Sequence, residues 1–285
     1  MTAGAAPAHA PSPPRRAWVE QIMGMPVSVH LRGPAALGDT AAGLVAAVFD
    51  HLRHVDAVFS TYRPESDVTR LNRGDVRLDA CHPWVGEVVT LCAEATARTG
   101  GWFDARLPAP GGGTWFDPSG LVKGWSVEAA SRWLADVDDA DFCLNAGGDV
   151  VVGIATADAG PWRVGIEDPG DVSRVLAVVE AWAGGVATSG RARRGLHIVD
   201  PRSGAPATGL QSATVVGPSL MWADVYATAM VAGGRESVDW LGGLDGYEAM
   251  VVTDTSEVLA TAGWRQGQPE ALPAVVPGGH RQDRI

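Results

Sequence analysis

From Asp141 onward the chain breaks into short apolar runs, at 142–145, 149–154, 162–166, 174–182, 186–188, 196–199 and 212–217, each bounded by Gly, Pro or Asp. Runs of that length between turn residues read as strands. The first half is built differently. Leu37 to Phe59 places Leu37, Leu44, Val45, Val48, Phe49, Leu52, Val55 and Phe59 near a 3.6-residue period, which predicts a long amphipathic helix. Ser66 to Leu71 reads as a short helix capped by Ser66, and Pro83 to Arg98 as a second amphipathic helix stopped by Gly100-Gly101. Lys123 to Val137 reads as a third, its amino end just past a turn at Asp117–Gly124. Ahead of all these, Trp18 to Leu31 reads as extended, with alternation over Val27–Leu31. Ser219 can cap a helix to about Ala232, followed by a helix near 236–241 and strands near 247–253 and 257–260. Helices and strands grouped in blocks, rather than in βαβ alternation, predict an α+β fold with mixed or antiparallel sheets packed against helices.

The chain has 285 residues and a net charge of −11, which argues against broad nucleic-acid binding, since that needs a basic footprint. Cys81, Cys92 and Cys143 are scattered in apolar stretches with no CxxC spacing, so neither a zinc site nor a disulfide framework is indicated. Residues 1–16 are Ala- and Pro-rich and are expected to be disordered; residues 269–285 are expected to form a loose tail. Between them, 17–268 reads as one domain. Arg15-Arg16 follows the Pro-rich stretch rather than preceding an apolar one, and no span of 18 apolar residues occurs. On that ground the expectation is a soluble cytoplasmic protein without membrane insertion.

One basic residue stands apart. Of 22 Lys and Arg, 21 are arginine, and the lone lysine is Lys123, in Asp117-Pro-Ser-Gly-Leu-Val-Lys-Gly-Trp125. Coding bias explains replacement of lysine by arginine wherever surface charge suffices. Lysine is a compact point charge and arginine a wide planar fork, so a retained lysine beside a Gly-containing turn points to a crowded site for a small cation, with phosphate the first ligand to suspect. Asp224 and Thr228 lie four apart on one face of a helix that is apolar nearly all round. A buried carboxylate needs a partner. That partner is either a nearby backbone group, with Thr228 bonding its own helix, or a hard cation such as magnesium held by both oxygens. Asn145-Ala-Gly-Gly-Asp149 and Gly184-Gly-Val-Ala-Thr-Ser-Gly190 read equally as hairpin connections or phosphate cradles. Neither GxxxxGK[ST] nor a GxGxxG opening a βαβ unit is present.

Taken in order, these segments resemble the FAD:protein FMN transferases, the ApbE-like flavin transferases. The pieces are Met23-Gly24, Phe59-Ser-Thr-Tyr-Arg-Pro-Glu-Ser66 with Leu71-Asn72, Gly101-Trp-Phe-Asp104, Asp117 to Gly124, Asn145 to Asp149, Trp162 to Pro169, Ala187 to Gly190, His197 to Pro201 with Gly204, and Ala223-Asp224 with Ala227-Thr228. The resemblance implies two intimate lobes around an FAD cleft. It also implies magnesium-dependent transfer of the FMN moiety of FAD to a Thr or Ser hydroxyl of an acceptor protein, releasing AMP. In that pattern Met23, Tyr62, Phe103, Asp104, Asp117, Lys123 and Ile198 match positions lining FAD, while Gly120, Asp224 and Thr228 match magnesium ligands. His197 is the one histidine inside a matched segment, which makes it the candidate general base beside the catalytic Asp224, with Asp200 to orient it or else a merely structural role. Three features depart from the pattern. The stretch between Asp104 and Asp117 is short, no threonine stands two residues after Asp104, and no acidic-aromatic pair follows Ser189-Gly190. FAD pyrophosphatase activity and non-catalytic FAD binding are the alternatives.

Overall fold

The computed structural model describes residues 13–108, 112–155, 160–191 and 198–264. Strands β1 (Arg15–Ile22) and β2 (Met25–Arg32) open the chain as an antiparallel hairpin. The single extended segment expected from Trp18 to Leu31 is therefore two strands. The reversal falls at Met23 and Gly24, with φ of 55° and 71°. Glycine reaches that region freely, but methionine seldom does, and this concealed the turn.

Helix α1 (Asp39–Phe59) follows, its apolar stripe of Val45, Val48, Leu52 and Val55 fully buried. Helix α2 (Asp67–Arg73) is capped as expected, with Ser66 Oγ accepting from the Thr69 amide at 3.1 Å. Helix α3 (Pro83–Arg98) ends where Gly100 and Gly101 take positive φ. Two three-residue strands, β3 (Arg106–Pro108) and β4 (Thr114–Phe116), then form a ribbon. Helix α4 (Ser119–Ala135) begins a turn earlier than its apolar period suggested. The cause is Asp117, whose Oδ1 accepts from the Ser119 amide at 3.0 Å and from the Ser119 hydroxyl at 2.5 Å. Asp117 thereby satisfies donors that a helix start leaves open. As a result Gly120, Lys123 and Gly124 lie on the helix rather than in the turn before it.

The second half supplies β5 (Asp141–Ala146), β6 (Asp149–Gly153), β7 (Trp162–Asp168), β8 (Asp171–Ala181), β9 (Gly184–Gly190) and β10 (Leu210–Gly217). Helix α5 (Leu220–Gly233), the short α6 (Ser237–Leu241), β11 (Glu248–Thr253) and β12 (Val258–Ala260) complete the order. Eight strands make one antiparallel sheet in the order β1-β2-β5-β6-β9-β10-β11-β12. Alternation along β6 divides its faces: Val151 joins the main core with the helices, while Val150 and Val152 face the β7–β8 hairpin and pack with Ile166, Ala177 and Val179. Helices with an antiparallel sheet make this an α+β fold. Helix α5 is apolar all round because it lies between α4 on one side and β9 and β10 on the other. Among the described residues no helix is long and apolar enough to cross a membrane.

Candidate active site

Helices α4 and α5 approach so closely that a Cβ on Gly124 would stand 2.9 Å from Met221 Cα and 3.0 Å from Asp224 Cβ. Glycine at 124 lets the first turns of α4 reach the one buried carboxylate of α5. The Gly124 amide donates to Asp224 Oδ2 at 3.1 Å. On the preceding residue, Lys123 places Nζ 2.6 Å from Asp149 Oδ2 and 3.5 Å from Asp224 Oδ1. Both aspartate side chains are buried, at 0% and 2% exposure, whereas Lys123 keeps 22%. Burial pushes the Asp224 carboxyl up to about 7; the Lys123 ammonium pulls it down and Asp149 adds to the rise.

Asp149 enters this group from the sheet. It begins β6 after a two-residue turn at Gly147 and Gly148, with φ of 62° and 106°. A Cβ on Gly147 would press 2.7 Å from Met25 Sδ, so this turn is shaped by packing on β2 and is the tight hairpin connection. Asp149 Oδ1 accepts from the Thr188 amide at 3.1 Å, which leaves its other oxygen for Lys123. The second Gly-rich run also resolves. A Cβ on Gly185 would collide with Leu220 Cα at 2.5 Å, so the run allows α5 to cross β9. Further along β9, Ser189 Oγ lies 3.0 Å from Thr228 Oγ1 on α5. Gly120 completes this corner, since a Cβ there would stand 3.8 Å from Thr228 Oγ1 and 3.1 Å from the Phe103 ring.

These groups sit at the floor of a cleft of about 860 Å³. That lies in the upper part of the range for small-molecule sites. Lys123, Asp224, Thr228 and Gly120 line one end. Met23, from the β1–β2 turn, and Tyr62 also line the cleft. The backbone of Tyr62 is tied by its amide to Ser60 Oγ, while Ser66 and Thr69 hydroxyls hold the Ser60 carbonyl. Tyr62 itself is 95% exposed, an aromatic side chain open to a ligand. Phe103, Asp104 and Asp117 come from the ribbon region. Asn72 anchors that region, donating to the Phe116 carbonyl and accepting from the Phe116 amide, both at 2.8 Å. Ile198 lines the cleft as well.

All the sequence-predicted site residues except His197 therefore share one cleft. His197 lies outside the described residues. Asp200, the carboxylate expected to orient it, accepts from the Arg202 amide at 3.0 Å and from Arg202 Nε at 3.1 Å, and this pairing holds its carboxyl below the usual range. Two residues were missed: Ser189 and Asp149. Each lay in a short Gly-flanked polar run, too common a pattern to single out one side chain.

Among the described residues no three His, Cys, Asp or Glu side chains converge as a metal cage of those types would require. The donors present are instead one carboxylate, two hydroxyls and the Gly120 backbone beside them, hard oxygens of the kind magnesium takes with water and phosphate completing its shell. The charge also fits, because the described residues set two buried carboxylates against one ammonium here.

The fold is shared by solved ApbE proteins. The ApbE protein of Thermotoga maritima superposes with a TM-score of 0.75 at 20% identity, covering 87% of this chain and 97% of that one. The flavin transferase ApbE of Vibrio cholerae gives 0.73 at 22%, covering 88% and 98%. In sequence, the Vibrio cholerae serotype O1 protein named FAD:protein FMN transferase is 32% identical over 130 residues, 42% of this chain and 39% of that protein. The Rhodobacter capsulatus protein of the same name is 32% identical over 154 residues, 51% and 29%. The matched part thus spans well under half of these curated relatives. The pattern of the ApbE family matches residues 23–109 and 105–251. The chain belongs to the ApbE family.

Proposed function

We propose that this protein transfers the FMN moiety of FAD to a threonine or serine hydroxyl of an acceptor protein and releases AMP, with magnesium as cofactor. The observation that carries the reading is the floor of the cleft, where Lys123, Asp224 and Thr228 meet beneath walls able to hold a dinucleotide. Relatives bearing the name FAD:protein FMN transferase support it. In the reaction the acceptor oxygen bonds to the FMN phosphorus, the bond from that phosphorus to the bridging pyrophosphate oxygen breaks, and AMP leaves with the bridging oxygen. Such transfers depend on positioning and neutralisation of charge. Lys123 supplies a fixed positive charge at the cleft floor, and Met23, Tyr62, Phe103, Asp104, Asp117 and Ile198 hold and orient the dinucleotide. Asp224, Thr228 and the Gly120 carbonyl would hold magnesium, which supplies Lewis-acid neutralisation of the phosphate oxygens when bound. His197 takes the hydroxyl proton.

The test is to incubate the purified chain with FAD and magnesium, with and without a candidate acceptor protein. AMP together with covalently flavinylated acceptor is the expected result. AMP with free FMN would establish hydrolysis instead, and FAD unchanged under every condition would make the chain a binding protein. In the active case Asp224→Ala abolishes turnover without unfolding; activity persisting in that variant with chelator present removes the metal from the mechanism.

A further inference from the structure

Asp149 belongs to the machinery although it is completely buried and does not line the cleft. Its two oxygens are divided between tasks. Oδ1 is fixed by the Thr188 amide of β9 at 3.1 Å, and Oδ2 meets Lys123 Nζ at 2.6 Å. The same ammonium stands 3.5 Å from Asp224 Oδ1, beyond a good hydrogen bond. Two carboxylates compete for one lysine, and Asp149 holds the shorter contact. Asp224 in turn accepts the Gly124 amide on Oδ2 at 3.1 Å and takes the longer of the two lysine contacts on Oδ1. Asp224 borders the cleft with Thr228 and Ser189.

We propose that Asp149 is a positioning residue that draws Lys123 toward itself, keeps the Lys123–Asp224 contact long, and so leaves Asp224 available to a divalent cation. Without the charge on Asp149, Lys123 would shorten its 3.5 Å contact with Asp224 into a tight ion pair. A carboxylate neutralised by an internal ammonium is a poor cation ligand. Asp149 also contributes the second negative charge that gives the trio a net attraction for a cation. Both effects act in the same direction, and both rest on the reading of Asp224 as a cation ligand given above.

The test uses Mn2+ as probe on the full chain, with FAD absent and then saturating, and reads bound Mn2+ by electron paramagnetic resonance. Asp149→Asn keeps the Oδ1 acceptor for the Thr188 amide and puts an uncharged NH2 group, no longer a partner, against Lys123. It is expected to weaken Mn2+ binding on the order of tenfold or more, since a negative charge near the cation is lost. The double variant Asp149→Asn with Lys123→Met removes the competing ammonium as well, and is expected to bind Mn2+ within about threefold of wild type. That recovery separates positioning from a structural role, since damaged packing would not be repaired by a second core substitution. Equal Mn2+ affinity in wild type and Asp149→Asn, or a double variant no better than the single one, overturns the inference. A wild-type chain that holds no Mn2+ in either state overturns the cation reading beneath it.

Discussion

Lysine 123 shows what one residue can disclose and what it conceals. Its singularity among 22 basic residues is a chemical signal, because arginine replaces lysine freely only where shape is unimportant. The partners explain the constraint. Nζ is set between buried carboxylates at 2.6 and 3.5 Å, a gap cut for a compact ammonium. Those partners were not legible in the same way. Asp224 could be suspected from its apolar helix, but Asp149 reads as the end of a Gly-Gly turn, and its burial follows from a strand pairing that no local pattern encodes. Lys123→Arg keeps the charge and needs more room, so the guanidinium must displace Asp224 or swing into the cleft. AMP release from FAD is expected to fall by roughly tenfold or more, equivalent to about 1.4 kcal/mol or more in the barrier, with the circular dichroism spectrum unchanged. An unaltered rate would make the lone lysine an accident of coding.

Among the elements, legibility followed length and capping. Helices α1 and α3 carry clean apolar stripes, and α2 and α5 announce themselves through Ser66 and Ser219, whose side chains accept from Thr69 and Trp222 amides. Strands β3 and β4 have three residues each, too few for alternation to show. The contact between α4 and α5 was also hidden, because glycine in a helix announces neither its partner nor its purpose. Its purpose can be tested by comparison with helical glycines that touch nothing. A Cβ at Gly43 or Gly86 meets no atom within 4 Å, whereas at Gly124 it meets backbone at 2.9 and 3.0 Å. Gly43→Ala and Gly86→Ala are therefore expected to stabilise the fold by about 0.4–1 kcal/mol through the unfolded chain. Gly124→Ala is expected to destabilise it by about 1–3 kcal/mol, as overpacking does, and to pull Asp224 from its place. Urea midpoints for the three variants decide the matter. A Gly124→Ala midpoint at or above wild type would show that the helices separate without strain.

Across the whole molecule, the cleft is an assembly that composition and periodicity do not foretell. Met23 and Thr228 come from a hairpin at one end of the chain and a helix near the other, yet they line the same cavity. Only the ordered resemblance brought them together in advance. Because the cleft draws on the first hairpin, α1, the ribbon, α4, β9 and α5, a ligand bound there stabilises all of them together. At a hundred times its dissociation constant such a ligand adds about 2.7 kcal/mol to the folded state, which is roughly 5–10 °C in melting temperature for a domain of this size. FAD should produce a rise of that order, and magnesium a further rise in the FAD-loaded protein. Asp224→Ala separates the contributions. Without ligand, the variant loses a buried carboxylate whose charged form burial disfavours, and Lys123 retains Asp149 at 2.6 Å as a balanced pair. The ligand-free variant is therefore expected to melt at or above the wild-type temperature, because a carboxylate in excess of the available ammonium has been removed from the interior. Its magnesium increment should vanish while the FAD increment persists in part. Differential scanning calorimetry measures both proteins ligand-free, with FAD, and with FAD and magnesium. A ligand-free Asp224→Ala protein melting several degrees below wild type would mean that Asp224 serves chiefly to tie α5 to the Gly124 amide, and its place as a cation ligand would be lost.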